Sequence, residues 1–331
     1  RVERMAMLSS DLEAAAEVIA AAPSLALACH VNPDGDALGS MLAFHLLCRA
    51  NAKVSVASWA EPLHSGPQYR FLPGLDSVTK PADFPVAPEV MVCFDCGSMG
   101  RLGDLRRPAE AAGTLVVVDH HATNSRYGAV NLVDPDAAAT VVLVRRLAER
   151  LGWPLDRDVA MCLYTGLVTD TGRFQYDCTT ADTFALAQEL AAFDLPIAAM
   201  SRQLFEQHRF TYLQLVARCI ERAVLDHQLR FVATWVTAQD LDEHDCDLAE
   251  TEGLIDVLRG AAEAEVSCVL KEAPDGVRVS LRAVSAVDVG ALATGFGGGG
   301  HRHAAAFVAR TGTIDEVLAA VRSALAAALV S

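Results

Sequence analysis

The sequence predicts an α/β protein with a parallel sheet covered by helices on both faces, followed by a second, smaller α/β domain. Two observations on the whole chain lead there: its 331 residues exceed what one hydrophobic core usually serves, and 52% hydrophobic with 21% charged residues is a globular composition. The third is an alternation, in the first half, of short apolar runs with helical patterns, which is typical of a parallel sheet buried on both sides.

Four apolar runs predict the strands of the first sheet, and a helix-like stretch over 37–49 separates the first two. The runs are Leu25–His30, Val54–Ser58, Val90–Phe94 and Leu115–Val118. In such sheets ligands collect beyond the carboxyl ends of the strands. Polar residues that directly follow a strand are therefore the candidates for chemistry.

The pattern is mostly helical from Ala138 to about Cys219, and strands then return. The later elements are predicted as strands over 229–236, 266–270, 277–282 and 304–308, a glycine-rich turn over 297–300 and a helix over 313–330. These patterns predict a first domain over 1–190, a helical connector over 191–214 and a second, smaller domain over 215–331.

Charge and cysteine content exclude several classes of function. Lys plus Arg is 27 and Asp plus Glu is 42, a net charge of −15, and no basic run exceeds two residues. Binding to long duplex nucleic acid needs a face of cations, so it is not expected. The longest uncharged stretch, Ile19–Pro33, is too short and contains too many polar residues to span a bilayer. Nine scattered cysteines indicate reduced thiols in the cytoplasm, and Cys93 with Cys96 is interpreted as packing rather than redox chemistry.

Acids and imidazoles follow three of the predicted strands, and a further acid lies in a later helix-like stretch. They are His30, Asp34 and Asp36; Asp95; Asp119, His120 and His121; and Asp170. Each alone is ordinary, because Asp often caps a helix or begins a turn. Together they suggest a shared site: four of these five carboxylates acting as ligands at one sheet edge repel one another unless two divalent cations balance their charge of −4. Mixed carboxylate and imidazole ligands favour Mn²⁺, leave Zn²⁺ or Fe²⁺ open and suit Mg²⁺ less.

A pair of cations about 3.5–4 Å apart is the arrangement that stabilises both oxygens of a phosphoryl displacement. The residues alone therefore favour metal-assisted phosphoester hydrolysis. A second constellation is the glycine run with His301, Arg302 and His303 behind it, which suits an anion because backbone N–H groups can approach closely. A flexible turn is the alternative for this run. Arg282 on the preceding strand is either a phosphate or base contact or a surface arginine.

These motifs, in this order, resemble those of the DHH–DHHA1 phosphoesterase superfamily. The length and architecture of the chain resemble the bacterial nano-RNase type of that superfamily. Asp119-His120-His121 is the name-giving triplet, and the glycine run with His301 and the alanines over 304–306 resembles the DHHA1 signature. The resemblance implies hydrolysis of short oligoribonucleotides (nano-RNA, dinucleotides), of cyclic dinucleotides or their linear products, and of the 3′-phosphate of phosphoadenosine phosphate.

The resemblance also implies roles for individual residues. Two Mn²⁺ per subunit are implied, one held by His30, Asp34 and Asp95 and the other by Asp36, Asp95, His120 and Asp170. Asp95 is then a shared ligand and, with His121, a catalytic residue. Asp119 orients the neighbouring imidazole, and Asn124 helps to hold the loop. The substrate-binding residues implied in the second domain are Arg282, Gly298, Gly299, Gly300 and His301. Two departures from the family pattern, Ala283 after Arg282 and Phe307 after the alanines, concern only this second domain. The resemblance also implies a homodimer, a metal-binding catalytic role for residues 1–190 and a substrate-binding role for residues 215–331.

Three alternatives stay open. A manganese-dependent inorganic pyrophosphatase shares the first-domain motifs, although the glycine–histidine signature argues against it. A processive single-strand exonuclease is disfavoured by the length and acidity of the chain. A nucleotide sensor without catalysis belongs to a different class, and the intact set of candidate ligands argues against it.

Overall fold

The computed structural model describes residues 2–63, 65–284 and 286–330, and it divides into two compact units, one up to Leu204 and one from Phe205 onwards. The first unit is built on a sheet of five strands that all run parallel, in the order β2-β1-β3-β4-β5. The strands are β1 (Ser24–Cys29), β2 (Val54–Ser58), β3 (Val90–Phe94), β4 (Thr114–Asp119) and β5 (Val130–Val133). The helices are α1 (Val2–Ala21), α2 (Gly35–Ala50), α3 (Arg106–Ala111), α4 (Thr140–Leu151), α5 (Arg157–Asp170), α6 (Ala181–Ala191) and α7 (Ile197–Phe205).

The sheet is buried on both faces, which confirms the predicted fold class. One core cluster contains the strand residues Ala26, Met91 and Val117. It also contains Leu102, in the segment just before α3, and Ala109, within α3. The alternate strand residues, which point to the opposite face, are just as buried. The four predicted strands are confirmed to within one residue at either end. Three elements of this unit were not predicted individually: the helices α1 and α3, and the strand β5, whose four residues include a polar Asn131.

Helices α2 and α5 pack closely because glycines face the contact. A Cβ atom on Gly39 would lie 2.5 Å from the carbonyl oxygen of Cys162, and one on Gly166 would lie 2.8 Å from Oδ1 of Asp36. Both distances are far below a van der Waals contact, so larger residues do not fit without a shift of the helices. This contact brings the N-terminus of α2 next to the C-terminal half of α5.

The second unit contains a mixed sheet in the order β10-β11-β9-β8-β7-β6, in which β7 and β8 are parallel and the other neighbours antiparallel. Its strands are β6 (Val224–Asp226), β7 (Phe231–Val236), β8 (Val266–Ala273), β9 (Gly276–Ala283), β10 (Gly299–His301) and β11 (Ala304–Ala309). Its helices are α8 (Phe210–Glu221), α9 (Ala238–Glu243), α10 (Leu254–Leu258), α11 (Val289–Gly295) and α12 (Ile314–Val330). The boundary between the units falls within the segment predicted as a connector.

The glycine run corrects one prediction. It was expected to be a turn over 297–300, but Gly299 and Gly300 belong to the edge strand β10, which pairs with β11. A Cβ on Gly298 would lie 2.2 Å from the carbonyl oxygen of Ala306, and one on Gly300 would lie 2.5 Å from that of Ala304. The glycines therefore allow the backbones of β10 and β11 to approach closely. For this reason a segment with the composition of a turn forms a strand.

All nine cysteines are free thiols, as their odd number and scattered positions predicted. Cys93 and Cys96 are both fully buried, in the core on one face of the first sheet. Within the described residues, no helix combines the length and the apolar character needed to cross a bilayer.

Candidate metal centre

The candidate site lies at the carboxyl ends of three neighbouring strands of the first unit. His30 follows β1 and Asp95 follows β3, while β4 ends on Asp119 and is followed by His120 and His121. These strands are adjacent in the sheet, so their ends converge, as expected for a parallel α/β sheet.

Two helix ends supply the remaining carboxylates, and both do so through local structure. Asp34 is the N-cap of α2, where its Oδ1 accepts hydrogen bonds from the backbone N–H groups of Asp36 and Ala37 at 3.1 and 3.0 Å. Asp170 is the last residue of α5, and the glycine contact described above places that helix beside α2. The oxygen of Asp34 that is not used in the cap faces the site.

His30, Asp34 and Asp95 form a first triad of potential ligands. The Nδ1–H group of His30 donates to the carbonyl oxygen of Val31 at 2.8 Å, because a carbonyl can only accept. This leaves Nε2 as the coordinating nitrogen, 3.6 Å from Oδ2 of Asp34 and 3.6 Å from Oδ2 of Asp95. A backbone partner that fixes the tautomer in this way is typical of metal-ligating histidines.

Asp36, His120 and Asp170 form a second triad. Nδ1 of His120 donates to the carbonyl oxygen of Ala137 at 3.1 Å, so Nε2 is again the inward nitrogen. Nε2 lies 3.0 Å from Oδ2 of Asp170 and 3.6 Å from Oδ2 of Asp36. Oδ1 of Asp95 is also 3.6 Å from this nitrogen. Asp95 therefore faces both triads, one with each carboxylate oxygen.

Asp36 has a structural duty besides its place in the triad. Helix α4 begins after Ala139, whose side chain offers no cap, and the carboxylate of Asp36 accepts the N–H groups of Thr140 at 2.6 Å and Val141 at 3.0 Å. A carboxylate at a helix N-terminus satisfies free N–H groups and interacts favourably with the helix dipole. Asp36 thus ties α4 to the metal site.

Burial and mutual charge shift the pKa values of these groups. Burial would lower the pKa of His30, but the carboxylates of Asp34 and Asp95 raise it to about 9. Burial, together with the charges of Asp95 and Asp170, raises the pKa of Asp36 well above its ordinary value. The pKa of Asp95 is lowered, because the three imidazoles outweigh its burial. Positive charge at the centre of this cluster of carboxylates and imidazoles therefore stabilises it.

The donor set fits divalent cations. Ligand atoms that each lie about 2.1 Å from one ion are about 3.0–3.4 Å apart, and the inward nitrogens lie 3.0–3.6 Å from the carboxylate oxygens of their triads. At 3.6 Å these pairs are too far apart for direct hydrogen bonds. A cation between them satisfies both groups and replaces the protons that the cluster otherwise takes up.

His121 lies beside the triads and is oriented by its neighbours. Its Nδ1 is 2.8 Å from Oδ1 of Asp119, which is fully buried, and Asn124 donates from Nδ2 to the other oxygen of Asp119 at 2.5 Å. Asn124 also reaches the carbonyl oxygen of Cys96 at 3.3 Å. Burial would lower the pKa of His121, but Asp119 and Asp95 raise it. The ring is thereby held as a donor next to the ligand cluster.

The predicted substrate-binding residues lie together on the sheet of the second unit. Arg282 on β9 is paired in register with Ala304 of β11, which in turn is paired with His301 of β10. The Nε atom of Arg282 is buried, and none of the described residues accepts a hydrogen bond from it. A Cβ on Gly299 would meet no atom within 4 Å, in contrast to Gly298 and Gly300.

The structure brings together all six residues predicted as metal ligands. Beside them it places Thr140, a residue that the sequence did not mark as part of the site. Thr140 is fully buried, and its hydroxyl donates to Oδ1 of Asp95 at 2.9 Å. A threonine that begins a helix is common, so no local pattern marked it. The signal lay in contacts with residues 45 and 104 positions away.

Comparison with known proteins agrees with this geometry. Residues 24–167 match the DHH family, N-terminal domain, and residues 229–327 match the DHHA1 domain. The bifunctional oligoribonuclease and PAP phosphatase NrnA of Thermus thermophilus is 31% identical over 305 residues, which cover 90% of this chain and 89% of that protein. The chain belongs to the DHH family. The family resemblance predicted from the sequence is confirmed, and with it the assignment as a phosphoesterase hydrolase.

Other relatives of this DHH-family chain agree. The bifunctional oligoribonuclease and PAP phosphatase NrnA of Bacillus subtilis is 27% identical, over 82% of this chain and 85% of its own length. An exopolyphosphatase-related protein from Bacteroides fragilis superposes with a TM-score of 0.86 over 96% of both chains, at 22% identity. That likeness shows the shared DHH–DHHA1 fold.

Proposed function

We propose that this DHH phosphoesterase uses two Mn²⁺ ions to hydrolyse short oligoribonucleotides and to remove the 3′-phosphate of phosphoadenosine phosphate. The observation that carries the proposal is the meeting of two Asp–His triads, with Asp95 facing both. The substrate classes come from the names of the Thermus and Bacillus relatives.

In this proposal His30, Asp34 and Asp95 hold one ion, and Asp36, Asp95, His120 and Asp170 hold the other. Manganese is favoured because carboxylates and imidazoles contribute together. When bound, such ions act as Lewis acids on a phosphoryl oxygen and make water available as a nucleophile near neutral pH.

Residues of the chain itself orient the imidazole of His121 and hold its protons. Asp119 accepts the Nδ1–H bond of His121, so Nε2 is the atom available to the substrate. Asp119 and Asp95 raise the pKa of His121, which favours the protonated ring. In that form Nε2 donates a hydrogen bond to a phosphoryl oxygen, where negative charge grows during hydrolysis. Asn124 keeps Asp119 in place for this task.

In this proposal the second unit binds the distal nucleotide, the one farther from the phosphate that is hydrolysed. The buried Nε–H group of Arg282 makes no hydrogen bond among the described residues, and the nearest carboxylate oxygen, Oδ1 of Asp256, is 3.9 Å away. A phosphate oxygen of the substrate satisfies this group. Gly299 leaves its backbone open to an anion, and His301 follows it on the same strand. Because the chain carries a net charge of −15, a longer polymer gains no general attraction, which favours short substrates.

His301→Ala is expected to raise KM for a dinucleotide at least about tenfold, since the variant loses a contact to the distal nucleotide worth about 1.4 kcal/mol. KM for bis(p-nitrophenyl) phosphate, which has no distal nucleotide, should change less than about twofold. His303→Ala is the matched control: His303 lies in the turn between β10 and β11, and its Nδ1 is 3.3 Å from the carbonyl oxygen of Ala283, the last residue of β9. Equal effects of His301→Ala on both substrates contradict the assignment.

A comparison of initial rates tests the proposed function as a whole. Purified protein with Mn²⁺ is given a diribonucleotide, phosphoadenosine phosphate, a cyclic dinucleotide and inorganic pyrophosphate at equal concentration. We expect the first two to be hydrolysed and pyrophosphate to be untouched. Fastest turnover of pyrophosphate contradicts the proposal in favour of a pyrophosphatase. Tight nucleotide binding without product identifies a sensor.

The family resemblance extends the proposal in three further respects. We propose activity on cyclic dinucleotides or their linear products, a homodimeric state, and a cytoplasmic location, to which the nine free thiols are suited. We also retain the domain roles, with catalysis in residues 1–190 and substrate binding in residues 215–331. Gel filtration tests the dimer, and the rate comparison above tests the cyclic substrate.

A further inference from the structure

Thr140 occupies a position between the two triads. It is the first residue of α4 and is fully buried. Its hydroxyl donates to Oδ1 of Asp95 at 2.9 Å, while its backbone N–H donates to Oδ2 of Asp36 at 2.6 Å. One residue thus contacts a carboxylate that faces both triads and a carboxylate that belongs to the second.

The orientation of the Asp95 carboxylate decides which oxygen faces which triad. Oδ2 lies 3.6 Å from Nε2 of His30, and Oδ1 lies 3.6 Å from Nε2 of His120. The rotation of a carboxylate about its last bond is soft, so an unsupported group would turn between these partners. The hydroxyl of Thr140 binds Oδ1 and so restricts that rotation.

The backbone of Asp95 makes this restriction more important. Asp95 has a φ of +54°, a left-handed conformation that non-glycine residues seldom adopt, and its N–H group donates to the carbonyl oxygen of Val118 at 2.9 Å. The main chain is therefore fixed, and the remaining freedom lies in the side chain that Thr140 holds.

We propose that Thr140 is a positioning residue, whose hydroxyl holds the Asp95 carboxylate so that one oxygen serves each metal. The inference rests on the metal pair of the proposed function. It concerns the hydroxyl alone, because the backbone N–H bond from residue 140 to Asp36 is present whatever the side chain. Loss of the hydroxyl weakens metal binding without changing the groups that contact the substrate.

Thr140→Val tests the inference, since it replaces the hydroxyl by a methyl group of the same shape. Titration of the metal-free protein with Mn²⁺ by isothermal calorimetry should show affinity reduced about 10–100-fold, the usual effect of losing such a supporting hydrogen bond. The Mn²⁺ concentration for half-maximal hydrolysis should rise by a similar factor, with KM for the dinucleotide within about twofold. Thr140→Ser keeps the hydroxyl and should restore affinity to within about threefold of wild type.

Thr165→Val is the matched control. Thr165 is equally buried, on the neighbouring helix α5, and its hydroxyl donates only to the carbonyl oxygen of Met161 in its own helix at 2.9 Å. It removes a buried hydroxyl without touching a carboxylate, and Mn²⁺ affinity should stay within about twofold. Should Thr140→Val not fold, Thr140→Ala decides by the same criterion, because it adds no bulk.

Each outcome is decisive. An Mn²⁺ affinity of Thr140→Val within twofold of wild type overturns the inference, and so does a Thr140→Ser variant as weak as Thr140→Val, since shape rather than the hydroxyl then matters. If the wild-type protein itself binds no Mn²⁺, the proposed function fails instead. Calorimetry without substrate separates these two results.

Discussion

Asp95→Asn is expected to lower kcat for a dinucleotide at least about a thousandfold, equivalent to about 4 kcal/mol of activation free energy, while the protein still folds. The amide has the shape of the carboxylate but lacks its charge, and one of its two polar atoms cannot coordinate a cation. Since one oxygen of Asp95 faces each triad, one proposed ion loses its ligand atom and the other loses the negative charge of its ligand.

The folded state should survive this substitution for a specific reason. Asn tolerates the left-handed backbone that residue 95 adopts about as well as Asp does. Its amide oxygen can also keep the hydrogen bond from Thr140. Circular dichroism and thermal unfolding of the metal-free proteins check this point.

Asp240→Asn is the matched control for that experiment. Asp240 is a similarly buried carboxylate, but it lies in the second unit, where it pairs with Arg222. Burial would raise its pKa, but Arg222 and Thr237 lower it to about 2. This variant loses an ion pair and should keep its turnover. Near-normal kcat in Asp95→Asn would refute a shared-ligand role for that residue.

Removal of divalent cations is expected to abolish hydrolysis completely and to lower the melting temperature. The triads gather four carboxylates whose charges repel one another once no cation lies between them. At free Mn²⁺ a hundredfold above the dissociation constant, one site adds about 2.7 kcal/mol to the free energy of unfolding. For a unit of about 200 residues that corresponds to a rise in melting temperature of about 5–10 °C.

The measurement compares protein treated with a chelator, then dialysed, before and after Mn²⁺ is returned. Activity and melting temperature should recover together, and calorimetry should count two ions per chain. Asp95→Asn should show a smaller rise in melting temperature, because it lacks the ligand that faces both triads. Full activity after exhaustive chelation would exclude metal-assisted chemistry.

The sequence predicted most of the site because parallel strands direct successive chain segments to one edge. His30 and Asp95 directly follow apolar runs, so their convergence followed from the fold class alone. Asp170 was different: it ends a helix rather than following a strand, so the fold class alone does not place it beside the others. Its approach to Asp36 depends on the glycine contact between α2 and α5, which no local pattern revealed.

What the sequence did not predict has a common physical cause. β5 is short and includes Asn131, so its pairing with β4 is decided by tertiary contacts rather than by an apolar run. Gly299 and Gly300 have the composition of a turn, but they pair with β11 because their lack of side chains admits a neighbouring backbone. Thr140 acquires its role from partners far along the chain.

The close packing of α2 on α5 has a consequence for protein engineering. Replacing a helical glycine by alanine is a common route to thermostability, because it reduces the freedom of the unfolded chain. At Gly39 and Gly166 the added methyl group would instead force apart the two helices that carry Asp36 and Asp170. Attempts to make this enzyme more thermostable should therefore leave these two glycines unchanged. They set the spacing between α2 and α5, on which the candidate cation site depends.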